Sequence, residues 1–154
     1  MSSFSWAGTS SGLNGVTNGE NMKNDVDVNS ENQAFLDNIA RQPGVVKTAS
    51  GLHYKVVQIG SGEKPTNNSV VTVNYEGKLP NGKIFDSSFK RGAPASFGVS
   101  DVISGWTEAL QLMNAGSVWE LYIPPNLAYG ERGVPGVIPP NSVLIFTVDL
   151  LKVN

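Results

Sequence analysis

Few side chains in this sequence can carry covalent chemistry. The 154 residues include no cysteine and one histidine, His53, which excludes disulfides, thiolate catalysis and Cys- or multi-His-ligated metal sites. A nucleophilic triad needs a histidine beside Ser or Cys. His53 stands in an alternating segment, on the face opposite Leu52 and Tyr54, and reads as a surface strand residue. Glu76, Asp86, Glu108 and Glu120 could supply a carboxylate pair for glycoside chemistry, although each also fits a solvated position. Gly60-Ser61-Gly62 lacks the last glycine and the helix of a dinucleotide fingerprint. With Lys64-Pro65 behind it, it reads as a turn. What the chain does carry is aromatic: of 3 Trp, 4 Tyr and 6 Phe, only Phe4 and Trp6 precede residue 30. Tyr75, Phe85, Phe97, Trp106, Tyr129 and Phe146 stand beside pocket-like features, yet as residue types they suit the plain core of a small sheet protein. Two details point past a plain core: Tyr129 lies in a Pro/Gly loop, and Trp106 follows Gly105 at a helix start. Asp86, between Ile84-Phe85 and Ser87-Ser88, suits a turn or a cap and leaves a pocket role open.

The elements that must position these residues follow from periodicity. One domain holds roughly 100–200 residues, so the length allows one domain and something small. The first 30 residues hold six Ser, five Asn, four Gly and two Thr with apolar residues scattered singly, the composition of a disordered tail. They lack the basic start and apolar stretch of a signal peptide and the arginines of a transit peptide. With no cysteine, the expected compartment is the cytoplasm. Ser30-Glu31-Asn32-Gln33 matches a capping box. Phe35, Leu36, Ile39 and Ala40 continue it as an apolar stripe, and Pro43-Gly44 stops it, so residues 31–44 form a short helix that should dock on the domain. From Leu52 the period becomes two, through Leu52–Val57 and Val71–Glu76, with strand-like runs at Val118–Ile123 and Val143–Val153. Asn81-Gly82 between Leu79 and Ile84 signals a two-residue hairpin turn. One internal helix is expected over Gly105–Met113, with Trp106, Ala109, Leu110 and Met113 on one face and Gly116 to end it. These elements predict an α+β fold: a curved antiparallel β-sheet, a half-open barrel, wrapped around one short α-helix. The 18-residue stretch Pro124–Asn141, with five prolines and three glycines, is long enough to imply function and stiff enough to wall a site. Net charge is −2, so no nucleic-acid or lipid footprint exists, and no apolar run reaches the 18 or so residues of a membrane span.

Five motifs then carry a resemblance. They are Val73-Asn74-Tyr75-Glu76-Gly77, Gly82-Lys83-Ile84-Phe85-Asp86-Ser87-Ser88, Val102-Ile103-Ser104-Gly105-Trp106, Leu127-Ala128-Tyr129-Gly130, and Ile138-Pro139-Pro140 running into Leu144-Ile145-Phe146. In this order and spacing, over residues 51–153, the sequence resembles the FKBP-type peptidyl-prolyl cis-trans isomerases. Phe35–Ile39, Ser50–Tyr54 and Trp106–Met113 further resemble the bacterial macrophage-infectivity-potentiator branch. The resemblance implies an FKBP-like domain over 45–154 that accelerates rotation about Xaa-Pro bonds without a cofactor or metal. It implies Trp106 as pocket floor, Tyr75, Phe85, Phe97 and Phe146 as walls, and Val102 and Ile103 on the strand-to-helix approach, the Ile103 N–H binding a substrate carbonyl. Tyr129 would offer its hydroxyl, Ile138 would close the pocket, and Asp86 would be the polar residue, tied to Tyr75 or Arg91. Asp86, Tyr129, Trp106 and Phe146 are the implied catalytic set. Ala95 stands where a phenylalanine is common, and Val134 where a histidine often projects. The implied partners are proline-containing polypeptides and the macrolides tacrolimus and rapamycin, bound by a monomer. A non-catalytic module binding proline-containing segments or a partner protein is the alternative.

Overall fold

The computed structural model describes the backbone of residues 19–154 and the side chains from Ser30 onward. Seven strands run β1 Val45–Lys47, β2 His53–Gln58, β3 Val70–Lys78, β4 Ile84–Ser87, β5 Ala95–Gly98, β6 Val118–Ile123 and β7 Leu144–Val153; the helices are α1 Gly19–Ala40, α2 Ser88–Arg91 and α3 Ser104–Leu112. Every pairing is antiparallel, in the order β1-β2-β6-β7-β3-β4, with β5 also on β3. The predicted α+β architecture is the one observed.

The alternation of β3 sets the geometry. Val71, Val73, Tyr75 and Gly77 face inward while Thr72, Asn74, Glu76 and Lys78 are half-buried on the other side, the period-two pattern of a sheet with one core face. On that face α3 buries Trp106, Ala109 and Leu110, with Met113 just past its end, against Leu52, Tyr75, Leu121, Phe146 and Val148. The opposite face carries a second, smaller core, where Leu36 and Ile39 of α1 pack on Tyr122, Val143 and Ile145. Asn32 Nδ2 adds a hydrogen bond to Asn141 O (2.8 Å).

Four expectations are corrected. The N-terminal helix begins at Gly19, not Ser30, since no glycine or proline stands between Glu20 and Gln42 to stop it. Ser30 therefore lies within a helix, and Gln33 Nε2 donates to Asp37 Oδ1 one turn on (2.9 Å) instead of closing a capping box. The part of the expected tail before Gly19 lies outside the described residues. The β3–β4 hairpin has a three-residue loop: Leu79 N donates to Lys83 O (2.9 Å), and Gly82, at φ 92°, donates to Leu79 O (2.8 Å). A two-residue turn would have required Pro80, which has no N–H, to pair with Lys83. His53 is 3% exposed, not a surface residue. It lies in register between Lys47 and Tyr122 on the face that α1 covers, and its Nδ1 donates to Gly51 O (2.9 Å). Finally, β2 does not alternate to its end: Val56 and Val57 are both exposed at a bulge.

Candidate active site

Trp106 is fully buried in the first turn of α3, ringed by aromatic side chains. The centroids of Tyr75, Phe97 and Phe146 lie 5.4, 5.8 and 5.3 Å from it, at interplanar angles of 83°, 85° and 86°. Phe85 meets Phe146 edge-on at 5.5 Å and 89°. Edge-to-face rings at these spacings add about 0.5–1.5 kcal/mol per pair beyond area burial, so the walls hold one another. Two glycines make this possible. A Cβ on Gly105 would sit 2.6 Å from Ile123 Cγ2, so only glycine lets the start of α3 approach β6. A Cβ on Gly77 would sit 2.6 Å from both Phe146 Cε1 and Phe85 Cζ, so β3 leaves a gap that the two rings fill.

Beside the rings lies a closed polar triangle. Tyr75 Oη donates to Asp86 Oδ2 (2.7 Å), while Arg91 donates through Nη1 to Asp86 Oδ1 (2.5 Å) and through Nη2 to Tyr75 Oη (2.9 Å). The guanidinium also lies 5.5 Å over the Tyr75 ring. Its pKa is raised, first by the hydrogen bond to Tyr75 and then by Asp86. Arg91 reaches this position because α2 is a single capped turn. Ser87 accepts from Lys90 N (3.2 Å) at its start, and Gly92, at φ 76°, closes its end. Buried Ser88 pins the turn to β3, accepting from Tyr75 N (2.7 Å) and donating to Asn74 Oδ1 (3.0 Å).

The Pro/Gly segment between β6 and β7 forms the opposite wall. It folds on itself through paired Val134–Ile138 backbone hydrogen bonds (2.8 Å each), and Gly130 O accepts from Asn141 N (2.8 Å). Ile138 is buried, and Tyr129 is partly buried against the main core. The Tyr129 hydroxyl is itself buried and, among the described residues, has no hydrogen-bond partner. Desolvation raises its pKa, with the charges of Asp86 and Tyr75 adding to the effect, so it stays protonated. At the head of α3, Val102 and Ile103 are each 8% exposed. Ile103 O accepts from Trp106 N (3.0 Å) and Thr107 N (3.1 Å), while among the described residues the Ile103 N–H donates to no protein acceptor. Aromatic walls and two unspent donors suit a ligand that offers carbonyl oxygens on an apolar ring.

The four carboxylates do not assemble into a pair. Asp86 is in the triangle, Glu76 accepts from Ser87 Oγ (3.2 Å), Glu108 from Ser50 Oγ (2.5 Å), and Glu120 from the Tyr122 hydroxyl. Among the described residues no group of three or more His, Cys, Asp or Glu is placed to hold a metal ion.

Residues 61–151 match the family model for FKBP-type peptidyl-prolyl cis-trans isomerase. The chain belongs to the FKBP family. Residues 10–56 match the domain amino-terminal to such isomerases. Over 124 residues the chain is 56% identical to the peptidyl-prolyl cis-trans isomerase Mip of Coxiella burnetii, covering 80% of this chain and 54% of that protein. Over 121 residues it is 53% identical to the outer membrane protein MIP of Legionella longbeachae, covering 79% and 52%. This FKBP therefore spans about half the length of these relatives, and they support the macrophage-infectivity-potentiator branch. The crystal structure of FkpA from Escherichia coli superposes at a TM-score of 0.82 with 45% identity, covering 86% of this chain and 62% of that one. The cytoplasmic expectation finds no support here, since the Legionella relative is named an outer membrane protein. Among the described residues no helix is long and apolar enough to cross a membrane.

Within this FKBP the structure brings every implied site residue into one neighbourhood, on β3, β4, α2, β5, the head of α3, the Pro/Gly loop and β7. Ala95 is half-buried beside β3 at the edge of the core, and Val134 is held by its bridge to Ile138. Sequence reasoning did not single out Gly77 or Ser88 as positioning residues, although both lie inside the quoted motifs. Their roles need the third dimension: one is a missing Cβ, the other a hydroxyl buried 13 residues from its partner.

Proposed function

We propose that this FKBP is a peptidyl-prolyl cis-trans isomerase that takes the prolyl ring onto Trp106. The observation that carries the reading is the pairing of an aromatic floor with two donors that lack protein acceptors among the described residues, Tyr129 Oη and Ile103 N–H. The planar Xaa-Pro amide resists rotation by about 18–20 kcal/mol because nitrogen is conjugated with the carbonyl, and uncatalysed exchange takes tens of seconds or longer. Twisting breaks the conjugation and lowers the amide dipole. A site of ring edges therefore disfavours the planar form relative to the twisted one. The two donors fix the flanking carbonyls and hold the peptide in a turn, an orientation effect. Tyr75, Phe85, Phe97, Val102, Ile138 and Phe146 line the walls, and the Asp86–Arg91 pair holds the Tyr75 wall in place. No proton moves. A millionfold acceleration asks for about 8 kcal/mol, spread over desolvation, orientation and two hydrogen bonds.

Proline-containing chains are the proposed substrates and tacrolimus and rapamycin the proposed inhibitors, bound by a monomer whose α1 docks on its own sheet. The test is NMR exchange on Xaa-Leu-Pro-Phe peptides with micromolar protein. Exchange well above the spontaneous rate, suppressed by tacrolimus, is expected. Chemical-shift perturbation without faster exchange would mean a binding module and would overturn the proposal. Sedimentation of the same sample reads the oligomeric state.

A further inference from the structure

The turn at residues 48–52 bonds to α3 on one side and lies near the start of the loop that carries Tyr129 on the other. Thr48 N donates to Leu52 O (2.8 Å) and Gly51 N to Thr48 O (3.0 Å), closing the turn with Gly51 at φ 100°. On one side, a Cβ built on Gly51 would lie 3.8 Å from Pro124 Cγ, where the loop carrying Tyr129 begins. Buried His53 secures the same residue by donating to Gly51 O (2.9 Å). On the other side, Ser50 Oγ donates to Glu108 Oε1 on α3 (2.5 Å), two residues from Trp106. A serine hydroxyl has one proton, and here it goes to the carboxylate, so the 2.8 Å contact between Thr48 Oγ1 and Ser50 Oγ has threonine as donor. The result is a directed relay, Thr48 to Ser50 to Glu108, on the exposed side of the turn.

The inner face of α3 is held by packing, which resists separation from the sheet more than sliding along it. A directional bond at the outer face can fix that remaining freedom. Resting on the isomerase reading, we propose that the Ser50–Glu108 bond positions α3, setting Trp106 relative to the loop of Tyr129. Ser50 and Glu108 are thus positioning residues: they act through the helix and touch no substrate. The geometry of the site then depends on residues 48–52, which fall in the match to the amino-terminal domain model, as well as on residues 61–151.

The test uses the full chain with Ser50→Ala, Glu108→Ala, Glu108→Gln and the double alanine variant. Each is read by kcat/KM from peptide exchange and by the Trp106 indole N–H resonance. Both single alanine variants should lower kcat/KM by about three- to tenfold, since small misplacements of a reacting geometry are costly. They should shift the indole signal alike, and the double variant should be no worse than either. Glu108→Gln keeps a carbonyl acceptor and should restore most of the rate. Wild-type rates in Glu108→Ala, or losses that multiply in the double variant, would overturn the proposal. If the wild-type chain itself fails to accelerate exchange, the isomerase reading falls. The coupling is then decided by the indole resonance alone: a shared shift supports it, and an unmoved signal refutes it.

Discussion

Replacing Tyr129 by phenylalanine should move stability and activity in opposite directions. The hydroxyl is buried and has no partner among the described residues, and a buried unsatisfied polar group costs about 1–3 kcal/mol. Its removal takes away no protein hydrogen bond, so the free protein should be as stable as wild type or more stable by up to about 1 kcal/mol, a rise of a few degrees in Tm for a domain of this size. On the substrate side one donor disappears, worth about 0.5–1.5 kcal/mol net, so kcat/KM should fall about two- to thirteenfold. Tyr75→Phe is the control. Its hydroxyl donates to Asp86 (2.7 Å) and accepts from Arg91 (2.9 Å), so its loss leaves a buried carboxylate short of a donor and should destabilise by about 1–3 kcal/mol. Urea denaturation gives the stabilities and peptide exchange gives the rates. If Tyr129→Phe destabilises as much as Tyr75→Phe, or leaves kcat/KM unchanged, the hydroxyl is not held in reserve for a ligand and the reasoning fails.

Trp106→Ala removes the fully buried hub of three edge-on rings and should cost about 3–5 kcal/mol of stability, with a larger fall in kcat/KM than Tyr129→Phe; equal falls would contradict the ranking. Asp86→Ala leaves Arg91 without its carboxylate and should lie at the lower end of the about 3–5 kcal/mol typical of a broken buried pair, because the Arg91 side chain keeps 25% of its surface exposed; urea midpoints check this. Gly77→Ala drives a methyl against Phe146 and Phe85 at 2.6 Å and should cost about 1–3 kcal/mol, seen as displaced Phe ring signals and weaker tacrolimus binding by calorimetry. The Tyr129 pKa is raised by burial, so folding is indifferent to its titration below the unfolded value of about 10, and above it the unfolded chain ionises first and gains on the folded one. Stability should therefore fall above about pH 10, and Tyr129→Phe should flatten that fall in alkaline urea titrations.

What was legible in the sequence is what a one-dimensional pattern can encode. β3 was visible because Val71, Val73 and Tyr75 alternate with Thr72 and Asn74, and α3 because Trp106, Ala109, Leu110 and Met113 share a face; both kept that burial in the fold. The aromatic set was visible as residue types, but its arrangement around Trp106 depends on Gly77 and Gly105, whose contribution is the absence of an atom. His53 was misplaced for a related reason. Alternation assigns a face, but only the docking of α1 decides whether that face meets water. The start of α1 was missed because a local Ser-x-x-Gln pattern competes with an uninterrupted helical stretch, and the absence of glycine and proline from Glu20 to Gln42 decided the matter. The Asp86–Arg91–Tyr75 triangle falls in between. The residues could be named, but the one-turn helix that folds Arg91 back onto Asp86 depends on caps whose partners only the fold reveals.

The arrangement of polar groups explains how so sparse a set of reactive residues would suffice for the proposed function. Asp86 is occupied by Tyr75 and Arg91, and Ser88 by Asn74 and Tyr75, so these groups stiffen the walls. Among the described residues the polar hydrogens of Ile103 N–H and Tyr129 Oη are left without protein acceptors, and both are donors. A site that offers donors and ring edges discriminates by what its ligand must lack. A primary amide or a free lysine would bring buried donors with no acceptor to meet them, at about 1–3 kcal/mol each. The tertiary amide of a Xaa-Pro bond brings a carbonyl oxygen, an apolar ring and no N–H of its own. On the proposed function, selectivity for proline would rest on the hydrogen that proline lacks as well as on the fit of its ring, and peptides with N-methylalanine in place of proline, which also lack that hydrogen, should retain measurable binding while alanine peptides should not. Equal binding of the alanine and N-methylalanine peptides by calorimetry would show that donor matching contributes nothing and that ring shape alone selects the substrate.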